Sequence, residues 1–172
     1  CPPGIDPANY EVKLMETRAI ELESTLSADN PISGEIFTGT IRKRIELKEA
    51  KSSHGQQYAR IRIQQLLSTV GYKSAFAVWT LAQVPPGDSG IGVVCVPTKE
   101  KAQPIHYFNP VPKSHLRALR DHVQFIIDGK KELKMGIRPE DLSDAKRPHL
   151  SYKCKINGKT SLISMSSRTA AK

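Results

Sequence analysis

The sequence predicts an α+β fold: one domain with a mostly antiparallel sheet packed against two main helices, behind a flexible N-terminal leader. Three observations predict it. Apolar and polar residues alternate along 18–26, 35–47 and 150–165, the period of a half-buried strand. Residues 56–70 and 114–127 gather apolar side chains into one arc at a period of 3.6. Residues 1–10 hold Pro2, Pro3, Gly4 and Pro7 and read as extended chain. The expected boundaries are a Pro-rich acidic leader over 1–17, a globular domain over 18–166 and a frayed tail over 167–172; 172 residues suffice for one domain with a real core.

Taken in order, Ile20 and Leu22 alternate with Glu21 and Glu23 in a first strand, which ends at the turn signal Asp29-Asn30-Pro31. Residues 35–47 form a stronger one, with Phe37, Ile41, Ile45 and Leu47 on one face and Thr38, Thr40, Arg42, Arg44 and Glu46 on the other. Lys43 falls on the apolar face, which predicts an edge strand or a snorkelling stem. Ala59, Ile63, Leu66, Leu67 and Val70 then share a helical arc that stops at Gly71. Phe76–Val84, which contains Trp79, reads as a buried element of either kind.

The loop Pro85-Pro86-Gly87-Asp88-Ser89-Gly90 is mobile by composition, and Ile91–Val96 is a short buried strand. A further short strand is expected within Ile105–Phe108. Ser114 caps the second helix, whose apolar side is Leu116, Leu119, Val123, Ile126 and Ile127; the competing reading is a hairpin over Val123–Ile137 around Asp128-Gly129. Leu133, Met135 and Ile137 alternate as a strand, and Pro139-Glu140-Asp141 opens one helical turn. Leu150, Tyr152, Cys154 and Ile156 alternate with Ser151, Lys153 and Lys155 up to Asn157-Gly158, a strong hairpin signal.

Function is approached through charge. The chain carries +9, unevenly: residues 1–34 hold six acids and two bases, a net −4, and the remaining 138 residues hold 24 bases and 11 acids, a net +13. Such a basic body points to a polyanionic partner, an anionic membrane or a nucleic acid. The clusters that would meet it are Arg42, Lys43, Arg44, Lys48 and Lys51; Arg60 and Arg62; Lys113, Arg117 and Arg120; and Lys130, Lys131 and Lys134. Each alone is an ordinary solvated face; their sum exceeds what solubility requires.

Catalytic signatures are missing. The sequence has no GxGxxG, P-loop, HExxH or GxSxG, and its five histidines do not fall at metal-ligand spacing, so no enzyme, cofactor or metal is expected. One fragment, Glu132-Leu133-Lys134 with Asp121 and Asp128 upstream, has the make-up of a magnesium-dependent nuclease; the same Glu-x-Lys recurs at Glu46-Leu47-Lys48, where a strand's alternating wet face accounts for it. Cys1, Cys95 and Cys154 are odd in number and scattered, which favours a reducing compartment, with Cys95 and Cys154 as small buried hydrophobes. No apolar run reaches about 18 residues, and the Pro-rich start does not resemble a secretory signal.

The order of elements resembles one family. A strand with Thr40-Ile41-Arg42-Lys43-Arg44-Ile45, a helix, an apolar element with an aromatic, the loop Asn109-Pro110-Val111-Pro112, a helix with His115 and Arg117, and a strand Glu132–Ile137 is similar to the core of rhabdovirus matrix proteins over roughly residues 35–145. The leader departs from it: it is acidic, and Pro2-Pro3 runs into Gly4-Ile5 where animal-virus members carry Pro-Pro-x-Tyr. The resemblance implies a non-enzymatic structural protein at the inner face of a virion envelope and in the host cytoplasm or nucleus. It implies self-association, membrane binding and condensation of the nucleocapsid or its RNA. Pro2, Pro3, Pro85 and Pro86 are the candidate self-association segments, by composition. The alternative is a nucleic-acid-binding viral protein of the movement or silencing-suppressor type.

Overall fold

Antiparallel strands account for the regular structure, and no α-helix occurs among the described residues. In the computed structural model these residues are 9–30, 33–51, 57–69, 83–84 and 86–168, with the side chains of 49–51 and 57 outside the description. The expected α+β class is therefore overturned. The chain divides into two compact units, 1–81 and 82–172, where one domain over 18–166 was expected.

The first unit is a meander of β1 (Glu11–Glu16), β2 (Ala19–Asp29), β3 (Ile36–Lys51) and β4 (Gln57–Thr69), in that spatial order. Part of the expected leader is thus a strand. The β2 and β3 expectations hold. The expected helix over 56–70 is β4, paired with β3 from Gly39↔Thr69 to Lys51↔Gln57. Its sequence satisfies two periods at once. The helical arc drew on Leu66; the strand face is Ala59, Ile61, Ile63 and Leu67, with Ile61, Ile63 and Leu67 opposite Leu47, Ile45 and Ile41. Two β-branched isoleucines and a ready apolar partner strand tip the choice. Lys43 lies on an interior strand, not an edge, and its Nζ sits 4.5 Å from the centre of the Tyr10 ring, so it snorkels as a cation on a π face. Leu26 and Phe37 are buried near the β2–β3 turn.

The second unit is a five-stranded sheet in the order β11-β10-β5-β8-β7. Its strands are β5 (Gly92–Pro97), β7 (Leu116–Ala118), β8 (His122–Ile127), β10 (His149–Ile156) and β11 (Lys159–Ser166). A two-stranded pair, β6 (Ile105–His106) with β9 (Met135–Gly136), completes the elements, together with a 3-10 turn at Pro139–Asp141. The expected second helix over 114–127 is the β7–β8 hairpin. Its apolar residues alternate as Leu116 and Ala118 against Phe125 and Val123, and Arg120-Asp121 interrupts any helical stripe. The competing hairpin over 123–137 does not form either: β8 pairs with β5 and β7, and β9 pairs with β6.

The core of this unit lies on one face of the sheet. Val123 is fully buried, and Phe125, Tyr152 and Cys154 are buried beside it in cross-strand rows that run through Val96, Val94 and Gly92. Gly92 pairs with Cys154, and a Cβ there would meet the Tyr152 hydroxyl at 2.1 Å, so the ring occupies the space a side chain would need. Ala102, Val111 and Thr98 add buried positions from the connections. The Asn-Gly hairpin forms as expected: Asn157 and Gly158 both take positive φ, 52° and 71°, the primed turn that matches the strand twist. Cys154 is buried as expected, but Cys95 is half-buried on the opposite face, where burial pushes its thiol up.

Candidate polyanion-binding face

In the first unit the basic residues of β3 meet the acids of β1 and β2. Register places Arg42 opposite Glu23 and Arg44 opposite Glu21, because antiparallel pairing puts partners on one face. Arg42 bonds Glu23 through its Nε. Arg44 reaches Glu21 at 2.5 Å, Glu46 at 3.1 Å and Glu16 at 3.4 Å. Lys48 stands 3.4 Å from Glu46. The Arg42 guanidinium holds Glu23 below the usual carboxylate range, and Arg44 does the same to Glu46. A depression of about 410 Å³ beside this network is lined by Glu16, Glu46, Arg18, Arg44 and Lys48, so its carboxylates offset much of its positive charge. Arg60 and Arg62 are exposed on the same face, opposite Lys48 and Glu46. Lys51 ends β3, with its side chain outside the described residues.

The division at 81/82 moves the charge. Unit 1 has ten bases and nine acids, a net +1; unit 2 has sixteen bases and eight acids, a net +8. The acidic stretch and the basic strand that follows it neutralise each other within one sheet. Arg42, Arg44 and Lys48 are thereby spent on internal pairs, while Arg60 and Arg62 stay exposed.

In unit 2 the open face of the sheet is the one opposite the core. One cross-strand row on it is Arg117, Gln124, Cys95, Ser151 and Ser164; the next is Ile126, Val93, Lys153 and Leu162. Lys155 continues the Lys153 side of β10. Arg117, Lys153 and Lys155 are all exposed. The strand of Arg117 and that of the two lysines are three strand spacings apart, about 14 Å across the sheet. At the end where β8 leaves the sheet, the connection after it carries Lys130 and Lys131, and the β10–β11 turn comes off beside Lys155. Lys113 and Arg120 are exposed in the connections on either side of β7. Lys134 lies over Tyr107 and Phe108, 5.1 and 5.7 Å from the ring centres.

Two acids at that end, Asp88 and Asp128, are engaged. Asp88 accepts the N–H of Asn157 at 3.0 Å and of Gly158 at 2.9 Å, and its own N–H donates to the Lys155 carbonyl at 2.7 Å. These bonds, Gly158 first, hold its carboxyl low. The loop at 86–90, read from composition as mobile and as a self-association segment through Pro86, is thus tied to its own hairpin. Pro2, Pro3 and Pro85 lie outside the described residues, as do most of the Phe76–Val84 element and the residues beyond 168.

Asp128 closes a second network. His115 Nε2 donates to its carboxylate at 3.1 Å, and Ser114 Oγ bonds the other ring nitrogen at 2.9 Å. Serine, histidine and aspartate in this order have the make-up of a hydrolytic relay, but Ser114 and His115 are chain neighbours on an exposed loop. The bonds tie the start of β7 to the turn after β8, alongside the Ile126 N–H to His115 carbonyl bond of 2.8 Å. His115, and then the Lys130 N–H, hold Asp128 below its usual range. A carboxyl depressed on folding stabilises the fold above its unfolded pKa of about 3.9 and loses that contribution as pH falls through the lower folded value. The Asp128→Asn variant is accordingly expected to have a lower urea midpoint than the parent at pH 7, with the gap closing towards pH 3. A gap independent of pH would show that the carboxylate charge is not what matters.

The nuclease fragment does not assemble. Asp121 precedes β8 and Asp128 follows it, so a six-residue strand holds them about 20 Å apart. No group of three or more potential metal ligands occurs among the described residues.

Lys153 and Lys155 were absent from the sequence-based set, although the alternation that announced the hairpin already placed both on its wet face. Comparison with known proteins finds no matching family model, no matching curated protein and no matching solved structure.

Proposed function

We propose that this chain is a non-enzymatic assembly protein that binds an anionic membrane surface through its second unit, in the manner of a viral matrix protein. The observation that carries the reading is the open face of the β11-β10-β5-β8-β7 sheet. It sets Arg117 and Lys155 on either side of a row in which Lys153 stands between Val93 and Leu162, with Ile126 beyond Val93, and Leu162 is 63% exposed. Cations that meet lipid headgroups beside aliphatic side chains that enter the interface suit a leaflet. Among the described residues this face carries no Phe, Tyr or Trp, and its only rings are the imidazoles of His122 and His149, so it is a poor stacking platform for bases. Two of the elements behind the rhabdovirus resemblance, the helices, are strands, so the proposal rests on charge and face chemistry alone.

A second reading has its own observation. Tyr107 and Phe108 are more than half exposed with Lys134 above them, a stacking platform with a cation, which suits single-stranded nucleic acid. One experiment ranks the two: binding to vesicles with and without phosphatidylserine, and to single-stranded RNA, each at 50 and 300 mM salt. Binding to the anionic vesicles alone, weakened by salt, is the expected result. Equal binding to neutral vesicles overturns the membrane reading; RNA binding that exceeds vesicle binding and falls in Tyr107→Ala/Phe108→Ala selects the second.

A further inference from the structure

The sheet of the first unit is two-sided. One face holds the Glu–Arg network. On the other, cross-strand pairing aligns Met15, Ile20, Ile45 and Ile63 in one row, Leu47 with Ile61 in the row on one side of it, and Val12, Leu22, Lys43 and Gln65 in the row on the other. Ser24, Leu26 and Phe37 are buried at one end of this face, but the rest stays in water: Met15 is 73% exposed, Ile61 61%, Val12 53%, Ile63 50% and Leu47 44%. Monomeric proteins seldom expose a contiguous apolar patch beyond a few hundred Å² without using it. A standard interface takes roughly 800 Å² from each partner, and these five exposed side chains contribute to it. The half-buried Ile20, Leu22 and Ile45 beside them add to it.

We infer that this face is the seat of a second copy of the same chain, the two sheets stacking apolar face to apolar face about a two-fold axis. Two observations select that occupant. The first is charge. Within the strand rows of Val12, Ile20, Leu47 and Ile61 the face carries one charged residue, Lys43, which lies on the Tyr10 ring, and at the β1–β2 end Glu16 and Arg18, one of each sign, border it. A face with almost no charge packs on itself without opposing like charges. It has nothing to select an acidic or basic partner, and it lacks the cationic rim that an anionic membrane needs. The second is shape. A shallow depression of about 240 Å³ at the β1–β2 end has Met15, Ile20, Ile45 and Leu47 on its apolar side and Glu16 and Arg18 at its border, and its apolar side can accept an aliphatic side chain. Ile61 and Ile63, exposed on β4 of the same face, are the side chains to fill it. Socket and knob on one surface are what an isologous interface requires, and stacked sheets are a standard packing.

The inference deepens the assembly reading by placing its self-association, and its test uses neither lipid nor RNA, so the two fail separately. Sedimentation of the full chain from 1 to 100 μM is expected to show a monomer–dimer equilibrium. Ile63→Lys raises the dissociation constant at least tenfold, while Gln64→Lys, which places the same charge on the opposite face, leaves it within threefold. Far-UV circular dichroism checks that each variant keeps its strands, and the milder Ile61→Ser decides the matter if Ile63→Lys does not fold. A wild-type chain that stays monomeric at 100 μM overturns the inference. So does a dimer that folded Ile63→Lys or Ile61→Ser leaves intact.

Discussion

Replacing Arg117, Lys153 and Lys155 together by glutamate is expected to weaken binding to phosphatidylserine vesicles about 100-fold or more. Each basic residue near an anionic leaflet contributes about 1 kcal/mol. Removing three costs about 3 kcal/mol, close to two decades in affinity, before the repulsion of the new acids is counted. All three side chains are exposed on the open face, so the change leaves the buried face of the sheet alone. The informative partner experiment neutralises Arg42 and Arg44 to glutamine. Those two arginines head the sequence-based list, yet Glu23, Glu21, Glu46 and Glu16 already hold them. Vesicle affinity is expected to change less than threefold in that variant. A cosedimentation series across lipid concentration measures both. The opposite ranking would place the binding surface on the first unit and refute the assignment to the second.

The largest stability effect is expected at Phe125. Truncation to alanine removes a buried ring from the central row Tyr152–Val94–Phe125–Leu116, next to the fully buried Val123. Buried Phe→Ala changes cost about 3–5 kcal/mol through lost burial and the cavity left behind. For a unit of this size that is a large share of total stability. Urea unfolding followed by near-ultraviolet circular dichroism is the measurement. A loss below about 1 kcal/mol would mean that the row does not form the core of the second unit.

Strands whose two faces differ in polarity were legible in the sequence. Leu150–Ile156 and its Asn157-Gly158 turn are local: alternation sets the faces and the turn residues set the register. The same holds for β2 and β3. The two helix expectations failed because their segments satisfy both periods. Ala59, Ile63 and Leu67 belong to a helical arc and to a strand face alike, as do Val123 and Ile127. Which period wins depends on what stands opposite, and only pairing with Ile41, Ile45 and Leu47, or with Val96 and Gly92, supplies that. Propensity is too weak to overrule such a partner.

The site was legible in the same uneven way. Composition determined that this protein carries a large excess of positive charge, and residue order that the familiar catalytic motifs do not occur in this sequence. It did not determine where the free charge lies. A count along the chain separates an acidic first stretch from a basic remainder. Antiparallel pairing then folds that first stretch back onto Arg42 and Arg44 and cancels them, because residues some twenty apart in sequence become cross-strand neighbours about 5 Å apart. Sequence thus determined the sign and size of the charge and the faces of the strands with one period. Tertiary structure decided the partners, and through them which arginines and lysines remain free to meet another molecule.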